Sequence, residues 1–246
     1  MKKYTRNISI EAWHADQFGK ASICHLFNFM MEAAWAHAQV MDWGYDILQK
    51  NNMFWVLSRI YMEIDQYPSW QDEITLNTWS AGTDGMFAYR EFVLENNKHE
   101  VLLRGNSSWL ILDIETKRII RLVEFKDTFP RFNEEKPCRE PQRLKPCENI
   151  ESLTYTPILY NEIDINKHFN SVKSLERVLD HYGIDFLTSM EPSSIEINYL
   201  KEGFPGDYLA VASEQTDDNS TRETIVRQSD KANISTMQIN WRKRNI

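Results

Sequence analysis

A long apolar segment followed by four strand-like runs occurs twice in this chain, and that repeat limits its architecture more than anything else. Residues 26–43 are rich in Ala and Met, and their apolar positions cover most of a helical circumference. That predicts a largely buried helix with Gly44 as its stop. Strand-like runs follow at 55–65, where apolar and polar residues alternate, and at 72–80, 86–95 and 101–114, separated by turn signals such as Pro68-Ser69-Trp70 and Asn96-Asn97-Lys98. In the second half, residues 155–160 read as a strand and 172–182 as a helix. Further strand-like runs lie at 194–200, 207–214, 222–229 and 233–242. With an edge strand at 4–10, both halves read strand, helix, four strands. Asp16 precedes the first helix as Asp164 precedes the second; Pro68 and Asp72 have counterparts in Pro205 and Asp207. A tandem repeat of an α+β unit accounts for this, with each antiparallel sheet wrapping its helix. We expect an N-terminal unit over 1–124, a connector over 125–150 that is rich in Pro, Lys, Arg and Glu, and a C-terminal unit over 151–246.

The 246 residues are enough to bury a substantial core, and aromatics at 12% recur through both halves, which argues against disorder. A net charge of −8 disfavours nucleic acid as a partner, since phosphate must be neutralised. The charge is uneven. Residues 117–145 hold nine basic and five acidic side chains. Composition alone reads this as a solvated linker; the alternative is a docking surface for an acidic partner. Three cysteines, with no CxxC, argue against a disulfide framework or a zinc site and fit a reducing cytoplasm. The basic start lacks an apolar segment behind it, and the most apolar window is too short and too polar to span a bilayer. We therefore expect a soluble chain made without a cleaved leader and without stable membrane insertion.

Asp164-Ile165-Asn166-Lys167-His168-Phe169-Asn170 carries the chemistry. In an extended backbone Asp164, Asn166 and His168 would share one side, with Ile163 and Ile165 on the other. A helix begins just beyond, near Asn170 or Ser171, both good N-cap residues. A carboxylate, an amide and an imidazole then stand before a helix N-terminus, whose backbone N–H groups could polarise a carbonyl. His14, His25, His37, His99 and His181 have no comparable partner pattern and read as structural or exposed. No cysteine has an adjacent base, which disfavours a thiol nucleophile.

The chain resembles the acyl-acyl carrier protein thioesterases, double-hotdog enzymes of bacterial and plastid fatty acid synthesis. The likeness rests on Trp55-Val56-Leu57-Ser58-Arg59, Pro68-Ser69-Trp70, Thr78-Trp79, the run from Phe87 to Phe92 with Arg90, and Ser107-Ser108-Trp109. It continues in Asp113 with Thr116-Lys117-Arg118, the Asp-x-Asn-x-His-Phe-Asn motif, and Tyr199-Leu200-Lys201-Glu202. It implies a tandem hotdog fold, with an acyl-chain pocket in the first half and catalysis in the second. It also implies hydrolysis of a long-chain acyl thioester on acyl carrier protein. Asp164, Asn166 and His168 match the family motif, and Glu202 matches a glutamate on the strand after the second helix. The implied roles are Glu202 as general base, His168 and Asn166 positioning water or carbonyl, Asp164 orienting its neighbours, and backbone N–H groups near Asn170 polarising the carbonyl. No cofactor or metal is expected, the partner is acyl carrier protein, and a homodimer is left open.

Two departures stand out. Plant members often have Cys beside the glutamate, where this chain has Gly203, so a cysteine nucleophile is excluded there. Their motif continues His-Val-Asn-Asn, whereas Phe169-Asn170-Ser171 stands here. With no plastid transit segment evident, a bacterial-type enzyme is expected. The alternatives are an acyl-CoA thioesterase of the wider hotdog group and, in a different class, a non-catalytic acyl-binding module. A hotdog hydratase fits less well, because that motif usually has Pro where Lys167 stands.

Overall fold

The computed structural model describes residues 3–127, 129–132, 136–150 and 152–244. The chain divides into two compact units, Met1–Pro141 and Gln142–Ile246.

In the first unit the strands are β1 (Tyr4–Ser9), β2 (Met53–Ile64), β3 (Glu73–Thr83), β4 (Ala88–Asn96), β5 (Val101–Asp113) and the short β6 (Ile119–Ile120). They pair antiparallel in the order β1-β3-β4-β5-β2, with β6 on the far end of β5. The helix α1 (Ile23–Val40) starts at Ser22, whose side chain accepts the His25 N–H. Its inner stripe of Ile23, Leu26, Phe27, Met30, Ala33, Ala34 and His37 is buried at helical spacing. Gly105 on β5 makes this packing close: a Cβ there would stand 2.6 Å from Met30 Cε. The helix ends earlier than its apolar pattern suggested. Asp42, at φ 60°, turns the chain out of the helix, and Gly44 instead caps a second helix, α2 (Tyr45–Lys50).

The second unit repeats the plan. β7 (Thr156–Pro157), β8 (Met190–Tyr199), β9 (Tyr208–Asp217), β10 (Ser220–Arg227) and β11 (Asn233–Lys243) pair antiparallel in the order β8-β11-β10-β9-β7. The helix α3 (Ser171–Ser189) buries Val172, Ser174, Leu175 and Val178. It runs past the expected end at Tyr182, but Gly183 at φ 75° breaks the helical backbone there. Beyond the break, Phe186 stacks on Tyr182 at 4.9 Å, and both rings meet Trp241. The expected strand at 155–160 is reduced to two residues. Pro157 lacks the N–H a longer ladder needs, and Tyr160–Glu162 turns into a 3-10 helix.

Composition alone read the basic stretch 117–145 as a solvated linker, but several of its described residues, and others of the connector, pack against the sheets. Phe129 joins a buried cluster with Leu48, Ala88, Ile111 and Leu122. Phe132 N–H donates to Ser80 O at 2.8 Å, and the Arg139 guanidinium lies 3.6 Å from the centre of the Tyr61 ring. In the second unit, Asn198 on β8 bonds both Gln142 O and Leu144 N–H at 2.9 Å, and Cys147 N–H donates to Thr224 Oγ1 at 2.8 Å. Buried side chains on the sheets thus take up the backbone groups of an irregular segment, as a segment laid over protein requires. No disulfide links the three cysteines. No helix among the described residues is long and apolar enough to cross a membrane.

Candidate active site

Asp164 does not head an extended row. Its Oδ1 accepts the N–H groups of Asn166 at 2.8 Å and His168 at 3.1 Å, and its own N–H donates to His168 O at 2.9 Å. This is an Asx-type turn, closed by Lys167 in the left-handed region at φ 64°. The expected alternation of Asp164, Asn166 and His168 along a strand is therefore corrected. The carboxylate folds the loop, while Asn166 and His168 stand half-buried in it.

Asn170 then caps α3, its Oδ1 accepting from Val172 N at 2.8 Å and Lys173 N at 3.3 Å. The Asn170 N–H itself donates to Glu162 O at 2.8 Å. The helix begins where its N-cap residue indicated. The N–H groups of Asn170, Val172 and Lys173 are, however, already engaged, so the expected polarisation of a carbonyl by backbone N–H groups near Asn170 does not hold for them.

Glu202 lies past the end of β8, on the loop leading to β9, and not on the strand itself. The two loops are joined by Phe169 N–H donating to Gly203 O at 2.8 Å. Glycine eases the contact: a Cβ at Gly203 would meet Phe169 Cβ at 3.0 Å and Ile158 Cδ1 at 3.2 Å, so these neighbours would have to give by a few tenths of an ångström.

This junction brings Glu202 Oε1 to 3.4 Å from His168 Nδ1, with the two side chains 30% and 20% exposed. Oε1 is itself sealed from solvent and accepts no hydrogen bond among the described residues. The Phe204 ring meets the His168 ring edge-on at 5.1 Å. Asp164, Asn166 and His168 thus share one turn, and Glu202 faces the imidazole from the adjoining loop. A carboxylate oxygen with spare acceptor capacity beside an imidazole can take a proton and pass it on.

Two arginines hold these loops, and sequence reading missed both. Arg177 on α3 forms a bidentate pair with Glu162, 2.6 Å at each contact, and donates to Pro157 O at 2.6 Å. Burial alone would raise the Glu162 carboxyl, but the Arg177 bonds hold it below its usual range. Arg227 at the end of β10 donates from Nη1 to Glu202 O and to Asp207 Oδ2, each at 3.1 Å. Its Nε and Nη2 reach the two oxygens of Asp230 at 2.9 Å. The sequence signal was the arginine that opens the Arg-x-x-Asp turn of 227–230, which carries no hint of a distant loop.

The first unit builds the same pair of loops. Asp16 Oδ1 accepts from Phe18 N at 2.9 Å and Lys20 N at 3.1 Å, and Gly19 at φ 70° closes the turn. Ala21 N–H donates to Pro68 O at 2.8 Å, as Phe169 does to Gly203. Ile10 N–H meets Asp72 O, as Ile158 N–H meets Asp207 O, both at 2.9 Å. The register pairs Gly203 with Pro68, so Pro205 is not the counterpart of Pro68, while Asp207 does match Asp72. It also places Lys20 where His168 stands and Tyr67 where Glu202 stands. The His–Glu pair belongs to the second unit alone.

Comparison with known proteins agrees with this duplicated plan. The family profile "Acyl-ACP thioesterase N-terminal domain" matches residues 1–127, and "Acyl-ACP thioesterase C-terminal domain" matches residues 145–243. A palmitoyl-acyl carrier protein thioesterase of Gossypium hirsutum chloroplasts is 25% identical over 97% of this chain and 63% of its own length. An oleoyl-acyl carrier protein thioesterase of Arabidopsis thaliana chloroplasts is 26% identical over 74% of this chain and 54% of its own. The chain thus spans somewhat under two thirds of the length of these curated relatives. In fold it superposes on an acyl-ACP thioesterase from Bacteroides thetaiotaomicron with a TM-score of 0.90, at 23% identity and 98% coverage of both chains. A 12:0-ACP thioesterase from Umbellularia californica gives a TM-score of 0.87 at 20% identity, again covering 98% of each chain. With this fold the tandem hotdog expectation is met, and the two profile matches place the chain in the acyl-ACP thioesterase family.

Proposed function

We propose that this protein hydrolyses long-chain acyl thioesters carried on acyl carrier protein, releasing free fatty acid. The observation that carries the reading is the Glu202 Oε1 to His168 Nδ1 approach of 3.4 Å, with Oε1 buried and otherwise unbonded. Glu202 acts as general base on a water molecule, and His168 positions that water or relays its proton. The water oxygen bonds to the thioester carbon as its proton leaves. The half-buried Asn166 amide is the candidate donor to the carbonyl oxygen as it gains negative charge. Collapse of the tetrahedral adduct breaks the C–S bond, and the proton returns to the departing sulfur. Asp164 acts through the backbone, fixing Asn166 and His168 relative to each other. A reducing cytoplasm is the proposed setting, consistent with three cysteines and no disulfide.

The test is release of free thiol and fatty acid from acyl carrier protein and CoA thioesters of graded acyl length. A higher kcat/KM for the carrier-protein form at matched chain length is expected. Equal or better turnover of the CoA series would move the substrate assignment to acyl-CoA, and absence of turnover in both series would overturn the reading.

A further inference from the structure

The two units offer an internal control that few single chains provide. Both build the Asp-turn loop, the cap, and the backbone bond that ties that loop to the one after the following strand. They differ in what lies behind those loops. The place of Arg177 on α3, seven residues after its N-cap, is taken by Phe29 on α1. There Phe29 meets His14, which replaces Glu162, edge to face at 4.9 Å. The place of Arg227 is taken by Asn96. In the sheets Arg227 pairs with Leu209, two residues after Asp207, and Asn96 pairs with Ile74, two residues after Asp72. Arg227 N–H bonds Ala232 O where Asn96 N–H bonds Glu100 O. The Asn96 side chain serves its own turn, accepting from Lys98 N and Glu100 N at 2.9 and 3.0 Å. The unit without a His–Glu pair therefore forms the same loops with neither arginine.

We infer that Arg227 is a positioning residue for hydrolysis, holding Glu202 against His168 through the Glu202 carbonyl. Its side chain is 14% exposed, and four of its hydrogen bonds are accounted for: Glu202 O, Asp207 Oδ2 and both oxygens of Asp230. Asp207 is in turn fixed by Phe204 N–H at 3.0 Å, so one planar fork grips the Glu202 loop at both ends. Asp230 holds the fork from the far side, its two oxygens pairing with Arg227 Nε and Nη2. Arg227 does not touch the carboxylate that does the chemistry. It fixes the backbone from which that carboxylate extends, and a displacement of about 1 Å at such a group is enough to cost about 10²-fold in rate.

The inference rests on Glu202 acting as the base, and the experiment separates the two. Native protein, Glu202→Gln, Arg227→Ala, Arg227→Lys and Asp230→Asn are assayed on one acyl carrier protein thioester, with thermal unfolding of each. Asp230→Asn keeps the oxygen that caps Ala232 N–H, but removes the charge behind the fork and replaces the acceptor of Arg227 Nη2 with an amide donor. We expect Arg227→Ala to lose at least about tenfold in kcat with KM little changed. Arg227→Lys should recover part of this, and millimolar guanidinium should raise Arg227→Ala turnover without affecting native enzyme. Thermal unfolding of Arg227→Ala with and without millimolar guanidinium separates the two roles: positioning raises turnover at an unchanged unfolding temperature, whereas a purely structural role raises both together. If Glu202→Gln loses activity while Arg227→Ala stays within twofold of native, the inference fails and the catalytic reading stands. A loss in Arg227→Ala that neither lysine nor guanidinium relieves would also overturn it. Should Arg227→Ala not fold, Arg227→Lys decides: an ammonium cannot hold Glu202 O, Asp207 and both Asp230 oxygens at once, so fully native kcat in that folded variant is incompatible with the clamp. Native-like turnover by Glu202→Gln would instead remove the reading on which the clamp depends.

Discussion

Asp16 and Asp164 close the same turn in the two units, each carboxylate accepting the N–H groups two and four residues ahead. Only the second turn presents an imidazole, and that makes the pair a test of whether the motif aspartate acts chemically or structurally. We expect Asp164→Asn, which keeps the Oδ1 acceptor, to retain most activity. Asp164→Ala leaves two N–H groups without their acceptor, at about 1–3 kcal/mol for each group that stays buried, and should lose activity with stability. Asp16→Ala should lose stability to a similar degree with turnover per folded molecule unchanged. Equal kcat losses in Asp164→Asn and Asp164→Ala would assign the carboxylate charge a direct role instead.

Gly203 sets how closely the His168 and Glu202 loops approach. Gly203→Ala would push a methyl into Phe169 and Ile158, at a cost of about 1–3 kcal/mol. The loops part as a result, so kcat should fall along with the unfolding temperature. Native stability and turnover in this variant would show that the 2.8 Å Phe169–Gly203 bond is not what sets the site geometry.

The second unit also predicts a pH signature. Burial pushes the Glu223 carboxyl up to about 7, against weaker opposing hydrogen bonds from Thr221 and Tyr182. A raised carboxyl binds its proton more tightly in the folded state than in the unfolded one. Its contribution is present below the unfolded pKa and is lost as pH rises towards about 7. Glu223→Gln should therefore gain stability relative to native protein as pH is raised from acid to neutral, by up to about 3 kcal/mol. Denaturant midpoints of both proteins across that window measure it, and a difference that does not vary with pH would contradict the assignment.

The basic segment of 117–145 narrows once side chains are placed. Arg139 lies on Tyr61, Lys136 pairs with Glu140, and Lys117 sits 4.7 Å over the Phe54 ring. Arg242, a basic residue on β11 outside that segment, is paired with Glu191 at 2.8 Å. Arg118, Arg121 and Lys126 are exposed on the first unit. Reversing these three charges should raise the apparent KM for acyl carrier protein substrates, more so at low salt, and leave a small soluble acyl thioester unaffected. An equal effect on both substrates, or on neither, would remove this surface from docking.

Much of this was legible in the sequence because it is local. The eight long strands fall where strand-like runs stand between turn signals, and the start of α3 follows from Asn170 as a cap. The Asp-x-Asn-x-His motif marked the right loop but not its shape. Asp164-Ile165-Asn166-Lys167 suits extended backbone and an Asx turn equally well, and the outcome depends on Lys167 adopting a positive φ, which sequence does not announce. The arginine clamps were invisible for a different reason. Arg227 and Glu202 are joined by sheet register and Arg177 and Glu162 by helix packing, and neither pairing has a short-range pattern.

The most direct test of the central claim is the steady-state turnover of Glu202→Gln on acyl carrier protein thioester. Glutamine preserves volume but cannot accept the proton of the attacking water. The account predicts a fall in kcat of about 10²–10⁴-fold, with the unfolding transition intact and KM little changed. Turnover within a few-fold of native would contradict it, because the buried oxygen facing His168 would then have no part in the chemistry.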